Sequence, residues 1–235
     1  MIQNHKLRAC LGFTLIELSI VLIIISLIMG GILKGQQLIN IAKEKQLESD
    51  FTSIPQMIYS YQDKFKALPG DDISAVNRFS SASNLVQNGD GENLILGDWF
   101  VFNPTMDSSI IWQHLRLAGL MSGETNMLSP NYLPKNSLGK AIEIHSASGI
   151  ASESPILDNQ GKALKGTYII CSRGISGELA LSLDIHLDDG NPSTGSMLAT
   201  SDNGNFNMAA APSTIGTNTS SDISHDQLYT VCMGF

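Results

Sequence analysis

Glu17 is the residue least explained by its surroundings. It is the one charged side chain between Phe13 and Leu33, a stretch of 21 residues made mostly of Leu, Ile, Val and Met. A carboxylate inside an apolar helix is costly at mid-bilayer and less so near an interface, so such a residue points to a function and a partner. The bland alternative is a Glu that snorkels to the nearby helix end. A cationic partner arises if the chain is cut behind Gly12, because the freed amine of Phe13 then stands four residues from Glu17.

Other chemistry-bearing residues lie far downstream. Asn88, Asp90 and Glu92 alternate as oxygen donors among glycines, and Asp184, Asp188 and Asp189 form a second acidic group beside Gly190. Calcium takes six to eight oxygens from such loops, which makes it the one ion with a case. The EF-hand spacing fails at both places, and Asn-Gly and Asp-Gly are also ordinary turn formers. No other cofactor is suggested. The histidines (His5, His114, His145, His186, His225) are scattered without metal-ligand spacing. Ser176 sits in Gly174-Ile-Ser-Gly177, which is not a nucleophile elbow, and no phosphate loop or dinucleotide fingerprint is present. The pattern argues against an enzyme.

The elements that would position these residues begin with the apolar run. Its 21 residues span about 30 Å as a helix, enough to cross the hydrocarbon core of a bilayer. A secretory signal has a shorter core followed by a small-residue cleavage site, whereas here the small residue, Gly12, comes first, although Gly30-Gly31 keeps that reading open. Lys6 and Arg8 on one side and Lys34, Lys43 and Lys45 on the other leave the positive-inside rule undecided. If the run marks the membrane, Cys10 is separated from Cys171 and Cys232, which then share an oxidising compartment and become a candidate disulfide. Two buried free thiols are the alternative.

Beyond the run, Leu47, Phe51, Ile54, Ile58, Tyr61 and Phe65 recur at alternating spacings of four and three, the stripe of an amphipathic helix. One long helix is expected to about Lys66, bent at Pro55 or split there if Ser53 caps a new turn, and ended by Leu68-Pro69-Gly70-Asp71-Asp72. Ile111, Trp112, Leu115 and Ala118 predict a second helix stopped at Gly119. Strands are expected over 139–146, 166–172 and 228–233. Residues 178–187 favour a helix, and 199–226 read as an exposed loop. The expected class is α+β: a long N-terminal helix packed on a small antiparallel sheet with loop insertions.

The string Gly12-Phe13-Thr14-Leu15-Ile16-Glu17-Leu18, followed by the apolar helix, resembles the processing site of type IV prepilins and of the pseudopilins of type II secretion. The likeness covers roughly residues 6–35. It implies that a prepilin peptidase cuts between Gly12 and Phe13 and methylates Phe13. It also implies that Glu17 neutralises the Phe13 amine of a neighbouring subunit during assembly. The implied organisation is a leader (1–12), a transmembrane and assembly helix (13–33), an amphipathic half-helix (34–66) and a periplasmic or extracellular head (67–235). Many major pilins kink near the twentieth mature residue at a proline. This chain has none before Pro55, and Gly30, Gly31 and Gly35 could loosen the helix instead. Leu68–Asp71, Asn88–Gly91 and Trp112–Gly119 together resemble a subset of long prepilin-like proteins.

The implied function is a structural subunit of a type IV pilus or secretion pseudopilus, inserted in the inner membrane before assembly. Its partners would be the peptidase, other pilin or pseudopilin subunits and an inner-membrane assembly platform. A single-pass anchored binding protein that never joins a filament is the alternative, and a secreted enzyme with a cleaved signal is a second. The formal net charge of −8, with no Lys/Arg cluster, argues against nucleic acid as the primary partner.

Overall fold

The computed structural model describes residues 14–80, 85–202 and 227–235. Two compact units are distinguished, Met1–Ala42 and Lys43–Phe235, and they are described separately. Helix α1, Leu15–Phe65, contributes to both. Its residues in the first unit are exposed, with large apolar side chains on every side from Leu15 to Ile41. Among the described residues it is the one helix long and apolar enough to cross a membrane. A helix that is apolar all round suits lipid or a bundle of like helices, not water. The chain stays helical through Gly30, Gly31 and Gly35.

In the second unit α1 becomes one-sided. Leu47, Phe51, Ile54, Ile58 and Tyr61 of the spacing pattern are buried, and Phe65, its last residue, is half-buried. Full burial of such a side chain contributes roughly 1.5–3 kcal/mol. Pro55 does not split the helix. It is buried within an unbroken α1, and Ser53 starts no new turn. The proline removes only the hydrogen bond to the Phe51 carbonyl, and apolar neighbours one turn to either side hold the helix across it. At the C-terminus Lys66 adopts a positive φ of 54°, and its amide donates to the Gln62 carbonyl at 2.8 Å. Short helix α2 (Ala75–Phe79) follows.

Helix α3, Asp107–Leu117, stops where the sequence predicts. Gly119 takes φ 75°, the Leu120 amide donates to the Leu115 carbonyl at 3.0 Å and the Gly119 amide to the Arg116 carbonyl at 3.0 Å. That pair of bonds is a Schellman cap, which a residue with a Cβ fits poorly. Helix α4, Gly177–Leu187, covers the stretch 178–187 that favours a helix in the sequence.

The sheet has four antiparallel strands in the order β1-β2-β4-β3. Strand β1, Ile142–Ser146, starts three residues later than expected, because Asn136 Oδ1 accepts the amides of Leu138 and Lys140 and draws 136–140 into a turn. Strand β2, Tyr168–Ser176, runs past Ser172 through a bulge at which Gly174 adopts φ 68°. Strand β4, Leu228–Gly234, lies between β2 and β3. Strand β3, Met197–Ser201, corrects the sequence reading, which began an exposed loop at Ala199. Leu198 and Ala199 are fully buried and pair with Cys232 and Val231 of β4. Residues 203–226 of that expected loop lie outside the described residues.

Alternation divides the sheet between two cores. Ile144, Ile170, Ala199 and Val231 join the main core with the α1 stripe and Ile111, Trp112 and Leu115 of α3. Ile169, Cys171, Leu198 and Cys232 face a smaller core with Trp99, Ile156 and Leu164. The architecture is α+β and pilin-like: a long N-terminal helix packed with a four-stranded antiparallel sheet.

Candidate functional site

Gly12 and Phe13, together with Cys10 and His5, lie outside the described residues, which begin at Thr14. Thr14 stands immediately before the first helical residue. Its amide and hydroxyl both donate to Glu17 Oε2, at 3.0 and 2.8 Å, and the Glu17 amide donates to Thr14 Oγ1 at 3.2 Å. This is a capping box: two amides that the helix cannot satisfy are bonded reciprocally by side chains. Thr14 was missed as a functional candidate, although the signal, Thr-x-x-Glu ahead of an apolar run, is plain in the sequence. The box fixes the direction in which the Glu17 carboxylate leaves the helix. It also sets an acid in the first turn, where the helix dipole favours negative charge.

Cys171 and Cys232 are joined in a disulfide across directly paired positions of β2 and β4, and both are fully buried.

The two acidic groups are built differently. Asp90 gathers with Asp71 and Asp107, their nearest oxygens within 4.8 Å of one another, while Glu92 does not share that point. Asn88 Oδ1 accepts the Val76 amide of α2 at 2.8 Å. Asp71 accepts the amides of Gly91, Glu92 and Asn93 at 2.5, 3.1 and 2.5 Å, so it clamps the Asn88–Glu92 loop. Burial pushes the Asp107 carboxyl up to about 6 against the pull of the Leu96 amide, and the charges of Asp90, Asp71 and Glu92 add to the rise.

An acid whose folded pKa exceeds its unfolded value of 3.8 costs stability above both values and recovers it as pH falls through about 6 toward 4. Asp107→Asn is therefore expected to raise urea resistance at pH 8 by on the order of 1–2 kcal/mol and to match wild type near pH 4. An equal difference between the two proteins at both pH values would show that the Asp107 charge carries no such cost.

The second group comprises Asp184, Asp188 and Asp189, as the sequence suggested, again with oxygens within 4.8 Å of one another. Asp188 Oδ2 accepts the Ser196 and Met197 amides at 2.6 and 2.8 Å, and its Oδ1 accepts the Ser196 hydroxyl at 2.9 Å. Asp189 accepts the Asn191 amide and the Thr194 hydroxyl, both at 2.8 Å. Asp184 is fully buried and neither of its carboxylate oxygens accepts a hydrogen bond. Burial, then the charges of Asp188 and Asp189, push its carboxyl up to about 7. The amides of Gly190 and Asn191 are near enough to pull the other way but not to close a bond.

The described histidines serve structure. His114 Nδ1 accepts the Gly70 amide at 2.9 Å, and Nε2 lies 2.8 Å from the Gln87 carbonyl, which assigns the proton to Nε2. Burial holds its pKa below the ordinary value. His145 stacks on Trp99 at 3.9 Å beside Glu143, and His186 lies 3.8 Å from Glu44. His225 is outside the described residues.

A capped helix, apolar all round at first and then amphipathic on a small α+β head, is a pilin-like architecture. Residues 7–33 match the family model described as the prokaryotic N-terminal methylation motif, the signature of prepilins and pseudopilins. The chain thus carries the N-terminus of a type IV pilin-like or pseudopilin-like precursor, which points to a structural subunit and not an enzyme. No curated protein and no solved structure matches the chain.

Proposed function

We propose that the chain is a filament subunit of a type IV pilus or type II secretion pseudopilus, cut by a prepilin peptidase behind Gly12 and N-methylated at Phe13. The observation that carries this reading is the methylation motif over 7–33, set on a helix whose exposed apolar surface needs lipid or sister helices. Residues 1–12 serve as the leader, 13–33 as the membrane and assembly helix, 34–66 as the amphipathic half and 67–235 as the head. Before assembly the helix holds the subunit in the inner membrane with the head in the periplasm. An assembly platform then extracts it into a bundle of like helices.

In that bundle the Phe13 amine is a cation entering an apolar interior. Glu17 of an adjacent subunit supplies the compensating carboxylate.

Intact-mass and N-terminal analysis of the membrane-purified protein tests the reading. The expected chain begins at Phe13 and carries one added methyl group. A chain beginning at Met1 is an unprocessed single-pass anchor, and one beginning beyond the apolar run is a secreted protein. Either result overturns the proposal.

A further inference from the structure

The last turn of α4 and the loop that follows it place three carboxylates at one point with no cationic side chain paired to them among the described residues. Asp184 and Asp188 are one helical turn apart, where like charges repel, and both stand at the helix C-terminus, whose dipole is itself negative. Asp184 is 0 % exposed, and neither of its oxygens has a hydrogen-bond partner. Among the described residues no Lys, Arg or His pairs with Asp184, Asp188 or Asp189. A buried carboxylate left unpaired is among the costliest arrangements in a protein interior, and the usual remedies are a counter-ion or a bound metal.

Asp188 and Asp189 are held, while Asp184 is not. The amides of Ser196 and Met197 and the hydroxyls of Ser196 and Thr194 fix the two loop carboxylates, while Asp188 Oδ1 and both Asp189 oxygens, each accepting one bond, keep a further lone pair. Such bonds orient metal ligands. At Gly195, with φ 83°, a Cβ would run into the Asp188 carboxylate, so the loop closes on that group only with glycine there. The Asp71 group has no counterpart to Asp184, because its buried members are bonded: Asp71 accepts three backbone amides and Asp107 accepts the Leu96 amide.

We propose that Asp184, Asp188 and Asp189 form a calcium site that ties the end of α4 to the start of β3. The all-oxygen, carboxylate-rich set selects a hard cation. Ligands on opposite sides of a calcium ion lie at most about 5 Å apart. Oxygens within 4.8 Å of one another are therefore close enough to share one ion. Magnesium, with its shorter bonds and near-ideal octahedron, suits three carboxylates spread over as much as 4.8 Å less well.

The test uses the full chain in detergent, stripped with EGTA. Calorimetric titration with calcium chloride is expected to give one ion per chain. Calcium at about 100 times the dissociation constant is expected to raise the thermal midpoint by roughly 5–10 °C, and magnesium by less. Asp184→Asn should abolish both responses while melting no lower than wild type in EGTA, since it removes a buried charge. Exposed Asp189→Asn should weaken binding with its EGTA midpoint unchanged, and Asp90→Asn should respond like wild type. Absence of calcium binding, an equal shift from magnesium, or a response kept in Asp184→Asn but lost in Asp90→Asn overturns the site.

Discussion

A Glu17→Val subunit is expected to accumulate in the membrane at wild-type levels or above, to be cut behind Gly12, and to be nearly absent from sheared surface filaments. Insertion becomes easier because a charge leaves an apolar helix. Assembly becomes harder because the Phe13 amine enters the bundle alone, and one unpaired partner of a buried ion pair costs about 3–5 kcal/mol. At 1.36 kcal/mol per decade that is a loss of roughly 100-fold or more in incorporation.

The capping box offers a competing cause, since valine also releases the Thr14 bonds. Loss of a cap costs about 1 kcal/mol, several-fold at most. Glu17→Gln separates the two, because glutamine serves in a capping box but carries no charge. The charge-pair account expects Glu17→Gln to fail as Glu17→Val does, with Thr14→Ala losing only a few-fold. Glu17→Gln subunits that enter filaments like wild type would reduce the carboxylate to a helix cap.

What was legible in the sequence follows from how local each signal is. The α1 stripe, the stop at Gly119 and the β2 and β4 runs depend on periodicity or on one glycine, and they lie where expected. Strand β3 was hidden because Met-Leu-Ala-Thr-Ser carries little β-branched weight. Its place is set by pairing with β4, about 30 residues later. Pro55 does not split the helix for a related reason: the local cost is real, but buried neighbours across the turn outweigh it. The calcium candidates show the same divide. Asp184, Asp188 and Asp189 share a helix end and its loop, so spacing alone brings them together. Asp90 instead meets Asp71 and Asp107 from two distant segments, which no local spacing reveals.

The Cys171–Cys232 bridge should carry a large share of the head's stability. It spans 61 positions and ties the C-terminal strand β4 to β2 in the middle of the sheet. The chain-entropy account values a loop of that length at about 4 kcal/mol, and loss of a native disulfide commonly costs 2–5 kcal/mol. In a domain of this size each kcal/mol moves the midpoint by about 2–4 °C, so Cys171→Ala with Cys232→Ala is expected to melt roughly 8–16 °C below wild type.

The double variant is the fair comparison, because a single substitution leaves a lone thiol among Trp99, Ile156, Leu164 and Leu198. Wild type unfolded in the presence of a thiol reductant should fall to about the same midpoint. Serine in place of alanine should lower it further, since two hydroxyls would be buried in a dry apolar site without partners. β4 holds the sheet together by its place between β2 and β3, so the loss should appear as one cooperative shift and not as early fraying of the C-terminus. Equal midpoints with and without reductant, together with two thiols that react once the chain is unfolded, would show that the bridge does not form in the cell.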